Sequence, residues 1–225
     1  MFIGHFAPAL AAAAISPRAP KLATLFIAGQ LVDWAFFTFA FLGIERMRVD
    51  PDATVMVPLD LYHMPYTHSL LGTAVWALVF GALIVWARRD MLTGIIGGAV
   101  VLSHWFLDWL THRPDLSLMG GEDMHGLGLW NQPLIAIPLE LGITIGAFYW
   151  YVKATRGPIG PPAILLFVLL SFQAINWFGP APEVAGPILY TQALLAFAFA
   201  TLFAAWVGTT RKHKRAVLFL TGPRR

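Results

Sequence analysis

Cysteine is absent from all 225 residues. That excludes thiolate metal sites, disulfides and a thiol nucleophile, and leaves histidine and the carboxylates as the side chains that could hold a metal. Charge is scarce too. Only 12% of the chain is charged against 58% hydrophobic, and the mean hydropathy of +0.68 is far from that of an ordinary soluble domain, which points to a polytopic membrane protein. Lysine and arginine are missing from the interiors of the apolar runs and cluster between them. The net charge of +3 and the pI near 9.4 therefore read as topology signals at a membrane surface and not as a nucleic-acid footprint. No low-complexity tract, soluble domain or internal repeat stands out.

What is present is a series of apolar runs: Phe2–Ile15, Leu22–Ile44, Ser69–Ala87, Met91–Leu110, Pro133–Val152, Pro162–Trp177 and Pro187–Gly208. At about 1.5 Å per residue most can cross a hydrocarbon core of ~30 Å. The expected fold is an all-α transmembrane bundle of about seven spans. The first run is short and contains Pro8, so it reads as tilted, partly inserted or packed against neighbours. Its Ala11–Ala14 stretch has the small residues of a signal-peptide cleavage region, but no positive charge precedes it, which favours a retained helix.

The connections alternate in charge. Arg18 and Lys21, then Arg88 and Arg89, then Lys153 and Arg156, and finally the tail with Arg211, Lys212, Lys214, Arg215, Arg224 and Arg225 mark the basic ends. By the positive-inside rule these are cytoplasmic and the N-terminus faces outward. Trp86, Trp150 and Trp206 then fall at the inner interface, and Trp109, Trp130 and Trp177 at the outer. Gly94 and Gly98 form a small-xxx-small pair that lets another helix approach. Gly157–Pro162 reads as a sharp turn. The chain divides into five spans over residues 1–152, which carry the polar groups, and two further spans with a basic tail over 153–225.

Only three acids, Asp33, Asp108 and Glu140, lie inside apolar runs. Without a basic partner each must be protonated, face water or bind a cation. In the fourth run His104, Asp108 and His112 stand at i, i+4 and i+8 and so share one helix face. Six of the seven histidines, His5, His63, His68, His104, His112 and His125, fall on the outward side or in the outer half of a run; His213 is in the basic tail. Counted from the run ends, His104 lies roughly 9 Å and Glu140 ~10 Å below the outer boundary. Separate spans thus deliver imidazoles and carboxylates to one layer. Alternatives stay open for the individual residues: His5 at an interface, His63 and His125 solvated in loops, His68 as a helix cap beside Thr67 and Ser69, and Asp33 or Glu140 as protonated acids bonded between helices.

The segments Tyr62-His63-Met64-Pro65-Tyr66-Thr67-His68-Ser69-Leu70, Ser103-His104-Trp105-Phe106-Leu107-Asp108, His112-Arg113-Pro114-Asp115 and Gly126-Leu127-Gly128-Leu129-Trp130-Asn131 resemble the bacterial YdjM-like family of membrane-bound metal-dependent hydrolases. That family in turn resembles zinc-dependent phospholipase C in its order of His and Asp ligands. The resemblance covers about Met1–Tyr151. It implies a helical hydrolase of the bacterial cytoplasmic membrane with a cluster of divalent ions. By position His5 corresponds to the first His ligand, Asp33 to the acid of the second helix, His68 to the Thr-His ligand, and His104 with Asp108 to the His-xxx-Asp pair. His112, His125 and Glu140 correspond to later His and Glu ligands. The second-helix acid stands in Leu31-Val32-Asp33-Trp34, without the Pro-Asp-x-Asp run often seen in the family.

The expected chemistry is metal-assisted hydrolysis of a lipid-like ester or phosphoester. His5, Asp33, His68, His104, Asp108 and His112 are the candidate ligands for one or two divalent cations, zinc in the first place. Glu140 or Asp108 is the candidate general base, and Arg113 the candidate partner of an anionic phosphate. Two rivals come from other classes. One is a proton- or cation-coupled transporter with Asp33, Glu140 and His104 as a relay, although the cytoplasmic halves of the spans offer no ionisable exit. The other is an accessory subunit of a larger membrane complex, with the last two spans as a docking surface and the metal site inherited. Haem between His63 and His68, or between His5 and His104, is a variant of the latter.

Overall fold

A computed structural model describes residues 1–215 of the chain. It is an all-α bundle of seven helices: α1 (Ala7–Ile15, preceded by a 3-10 turn at Ile3–Phe6), α2 (Leu22–Phe41), α3 (Leu70–Arg88), α4 (Met91–Thr111), α5 (Pro133–Ala154), α6 (Gly160–Phe178) and α7 (Pro187–Thr210). Six of them, α2 to α7, are long and apolar enough to cross a membrane. The first is not. With nine residues α1 rises only about 14 Å, and with its 3-10 turn it packs inside the bundle, Ile3, Phe6, Ala9 and Leu10 being wholly buried. Instead of a seventh full span, the first run is a half-length helix that starts among the polar side chains in the interior.

Short antiparallel pairs close the connections: β1 (Arg46–Val49) with β2 (Leu59–His63), β3 (Leu116–Ser117) with β4 (Met124–His125), and β5 (Thr155–Arg156) with β6 (Lys212–His213). The expected alternation of ends holds. At one end Arg18 pairs with Asp90 at 2.5 Å, joining the α1–α2 and α3–α4 connections, and His213 reaches the Ala14 carbonyl at 3.0 Å. At the other end Asp60 of β2 pairs with Arg48 at 2.7 Å and with Arg113. We call these the basic end and the site end. Asp90 also caps α4 through the Leu92 and Thr93 amides, as a short acid should. Its carboxyl is held well below the usual range by the Arg18 guanidinium and the Thr93 hydroxyl.

Helices α3 and α4 form a close hairpin. A Cβ on Gly98 would stand 2.9 Å from the Ala77 carbonyl oxygen and one on Gly81 3.0 Å from that of Gly94, so the glycines permit backbone contact along the pair. Arg211 is a departure from a plain basic tail. Its guanidinium is buried and donates to Thr155 Oγ1 (2.8 Å) and to the carbonyls of Val152 (3.1 Å), Thr155 (3.1 Å), Gly157 (2.8 Å) and Pro158 (2.7 Å). A cation at the C-terminus of α5 meets the unpaired carbonyls and the negative end of the helix dipole. Arg224 and Arg225, the last basic residues of the tail, lie outside the described residues.

Candidate metal centre

Asp108, three residues from the end of α4, is the hub. Its Oδ1 lies 3.0 Å from His5 Nε2 and 3.7 Å from His112 Nε2, and its Oδ2 lies 3.0 Å from His104 Nε2 and 3.8 Å from His68 Nε2. Asp33 of α2 closes the second set, with Oδ1 3.4 Å from His68 Nε2 and 3.7 Å from His104 Nε2. His5, His68, His104 and His112 therefore ring the Asp108 carboxylate, and Asp33 joins through His68 and His104. Two overlapping groups, His5/His104/Asp108 and Asp33/His68/His104, have ligand atoms within 4.8 Å of one another and could hold a metal ion. The four histidines and Asp108 are each no more than 3% exposed.

Local sequence explains how each arrives. The i, i+4, i+8 spacing aligns His104, Asp108 and His112, although His112 already stands one residue past the helical stretch as its C-cap. His68 precedes α3, in the turn capped by Ser69 through the Gly72 amide. His5 rides on the 3-10 turn, which presses on α2 where a Cβ at Gly29 would collide with the His5 carbonyl oxygen. The His5 and His104 rings stack at 3.7 Å and 4°, which leaves no room for a macrocycle between them as axial ligands. His63 and His125 are strand residues opposite Arg46 and Leu116 and do not join the cluster.

The imidazoles are oriented from behind. His104 Nδ1 lies 2.9 Å from the Gly29 carbonyl oxygen; a carbonyl only accepts, so Nδ1 carries the proton and Nε2 a lone pair. His112 Nδ1 faces an Asp115 oxygen at 2.9 Å, with the same consequence. His68 Nδ1 faces Thr67 Oγ1 at 2.8 Å, and that hydroxyl gives its proton to Glu45 Oε2 at 2.6 Å, so it accepts from the ring. Glu45 is fixed in turn by the Tyr66 and Thr67 amides at 2.8 and 3.0 Å. The Oδ1 side of Asp108 also receives the Met1 amino nitrogen at 2.6 Å. With the imidazoles neutral, the Oδ2 side has no proton to share: Asp33, Asp108, His68 and His104 point acceptors at one another, and His104 Nε2 has no hydrogen-bond partner. Buried acceptors without a donor are costly unless a cation joins them.

Two residues expected in the chemistry are engaged elsewhere. Glu140 Oε1 accepts the Phe2 and Gly4 amides at 2.7 and 3.0 Å, and Oε2 accepts from Gln173 Nε2 at 3.3 Å. It needs no basic partner because three N–H donors surround it. Arg113 forks between Asp60 and Asp115 at the rim. Sequence reasoning overlooked Glu45, Asp115 and Gly29 as the groups behind the imidazoles; only the adjacency of Thr67 to His68 hinted at any of them.

A cavity of about 300 Å³ borders the cluster, with Asp33, His68, Asp108 and His112 on one side and apolar side chains of α2, α6 and α7 on the other. The last two helices thus wall the site. Compared with protein-family models, curated proteins and solved structures, the chain matches none.

Proposed function

We propose that this protein is an integral membrane metal-dependent hydrolase acting on an ester or phosphoester in a lipid-like substrate. The observation that carries the reading is the convergence of Asp33, His68 and His104 on the Oδ2 side of Asp108 beside a largely apolar cavity. Two imidazole nitrogens and two carboxylate oxygens suit zinc among the divalent ions. When bound, such an ion supplies positive charge that polarises a carbonyl or phosphoryl oxygen and acidifies water toward neutral pH.

The chain's own residues do the rest. Glu45, Asp115 and the Gly29 carbonyl fix the imidazole tautomers so that Nε2 faces inward. Asp108 faces His5 and His112 with one oxygen and His68 and His104 with the other, and would be the carboxylate common to both ligand sets. Asp33, with its side chain 16% exposed and Oδ1 toward the imidazoles, would take a proton from an attacking water at Oδ2. The apolar wall excludes bulk water and favours a substrate with a hydrocarbon part. The YdjM-like resemblance fits this reading, since its Thr67-His68 and His104-xxx-Asp108 motifs are among the residues that meet. By the distribution of basic residues the site end faces away from the cytoplasm, and the resemblance points to a bacterial cytoplasmic membrane.

The test is element analysis of detergent-purified protein with His104→Ala and Asp33→Ala beside the parent, together with hydrolysis of a panel of lipid esters and phosphoesters after chelation and after metal return. Stoichiometric metal in the parent, lost in both variants along with turnover, is expected. Full metal retention in His104→Ala would overturn the centre; metal-dependent folding with no turnover of any substrate would overturn the hydrolase.

A further inference from the structure

Helices α6 and α7 are close along their basic-end halves. Leu165 and Leu169 of α6 share one buried cluster with Ala200, Ala204 and Val207 of α7, and the alanines permit near approach. Toward the site end the pair lines the cavity instead, Phe172 and Asn176 on α6 and Gln192 and Ala196 on α7. The cavity runs from Asp33 and Asp108 to this gap. Asn176 and Gln192 are exposed at its mouth, and Ile175 beside them is 66% exposed.

The depths agree. Asn176 is two residues from the end of α6 and Gln192 five from the start of α7, roughly 3 and 7.5 Å below the site end. Asp108, three residues from the end of α4, lies at about 4.5 Å. Two uncharged amides on outward surfaces of apolar helices, level with the cluster and lining the same cavity, call for a polar partner at that depth. Trp177 borders the same opening, where an indole suits the headgroup boundary.

We propose that the gap between the site-end halves of α6 and α7 is a lateral portal for a membrane phospholipid. Asn176 and Gln192 hydrogen-bond its glycerol-ester and phosphate region, Phe172 and Phe197 flank the start of one acyl chain, and the susceptible linkage is brought to Asp33 and Asp108. A volume of about 300 Å³ is at the lower bound of the ~300–1,000 Å³ usual for small-molecule sites. It takes the linkage and the beginning of one chain while the remainder stays in the bilayer. Cleavage at the end of the portal rests on the hydrolase reading; binding in the portal does not.

The experiment compares the full chain with Ala196→Trp, which fills the gap, with the pair Asn176→Leu and Gln192→Leu, and with Leu195→Trp, a control on a 51% exposed position away from the cavity. Each is purified in mild detergent, offered phosphatidylglycerol and phosphatidylethanolamine in mixed micelles, and read by native mass spectrometry for retained lipid and by element analysis for metal. Expected is one retained phospholipid on the parent and on Leu195→Trp, and retention about tenfold weaker in the double leucine variant, the scale of two neutral hydrogen bonds lost, with metal unchanged. Ala196→Trp should lose retention with metal unchanged. Equal retention in the parent and the double leucine variant overturns the portal, as does equal loss in Leu195→Trp. Should Ala196→Trp not fold, the double variant at exposed positions decides. Retained lipid that is never cleaved refutes the hydrolase and leaves the portal standing.

Discussion

Replacing Glu45 by glutamine should weaken metal binding without touching a ligand. In the parent, Glu45 Oε1 accepts two amides and Oε2 accepts the Thr67 hydroxyl at 2.6 Å, which compels Thr67 Oγ1 to accept from His68 Nδ1 at 2.8 Å. A glutamine keeps its oxygen on the two amides, where donors are fixed, and so turns its NH₂ toward Thr67. The hydroxyl must then send its proton to His68 Nδ1, and the ring proton moves to Nε2, the atom that faces Asp33 and Asp108. A protonated Nε2 cannot ligate. Restoring the other tautomer means leaving a buried donor unmet, and changes behind a metal-binding histidine typically reduce affinity 10- to 100-fold, or about 1.4–2.8 kcal/mol. The assay is competition with a chromogenic chelator on purified protein, with thermal unfolding run in parallel. Thr67→Val, which removes the relay, should fall in the same range. Unchanged affinity in a folded Glu45→Gln protein would refute the tautomer argument.

Three further outcomes are expected. Glu140→Gln should keep metal and turnover within a few-fold, because an amide oxygen still accepts from Phe2 and Gly4, whereas Glu140→Ala strands two buried amides at ~1–3 kcal/mol each and should lower the melting temperature. Arg211→Ala should destabilise by roughly 2–4 kcal/mol in detergent melts, less than the sum of its charged hydrogen bonds because the freed carbonyls at that end regain water. The lowered carboxyl of Asp90 contributes stability above its unfolded value of about 3.9, which is lost as pH falls through the folded value; melts below that pH should converge for the parent and Asp90→Asn, and differ little at neutral pH because the pair is solvent-screened.

The helices and the members of the polar cluster were legible because both rest on local costs. An apolar run that must satisfy its own backbone becomes a helix, and its ends followed Lys21, Asp90 and Gln132 closely. An imidazole or carboxylate within such a run is expensive, so Asp33, His104 and Asp108 stand out from their neighbours, and helical spacing alone puts His104, Asp108 and His112 on one face. What stayed hidden depends on partners far along the chain. Glu45 reads as one more charge in a polar connection until Thr67 is beside it. Arg211 reads as a topology signal until Thr155 and Gly157 enclose it. Phe172 and Gln192 look like lipid-facing residues of surplus helices until α6 and α7 are seen to part beside Asp108.

Glu140 shows the same dependence and explains the short first helix. A helix that begins inside the bundle carries its unpaired amides where water is scarce, and each must be met by protein. Glu140 meets those of Phe2 and Gly4, Gln173 that of Ile3 at 3.3 Å, and Gln30 binds the Phe2 carbonyl at 3.1 Å. A carboxylate there also faces the positive end of the helix dipole. Three polar residues on α2, α5 and α6, Gln30, Glu140 and Gln173, thus serve one purpose: they meet the backbone at the start of the first helix, where His5 stacks on His104 and reaches Asp108. The polar side chains that meet the start of the first helix and the cluster that His5 joins are therefore one connected arrangement.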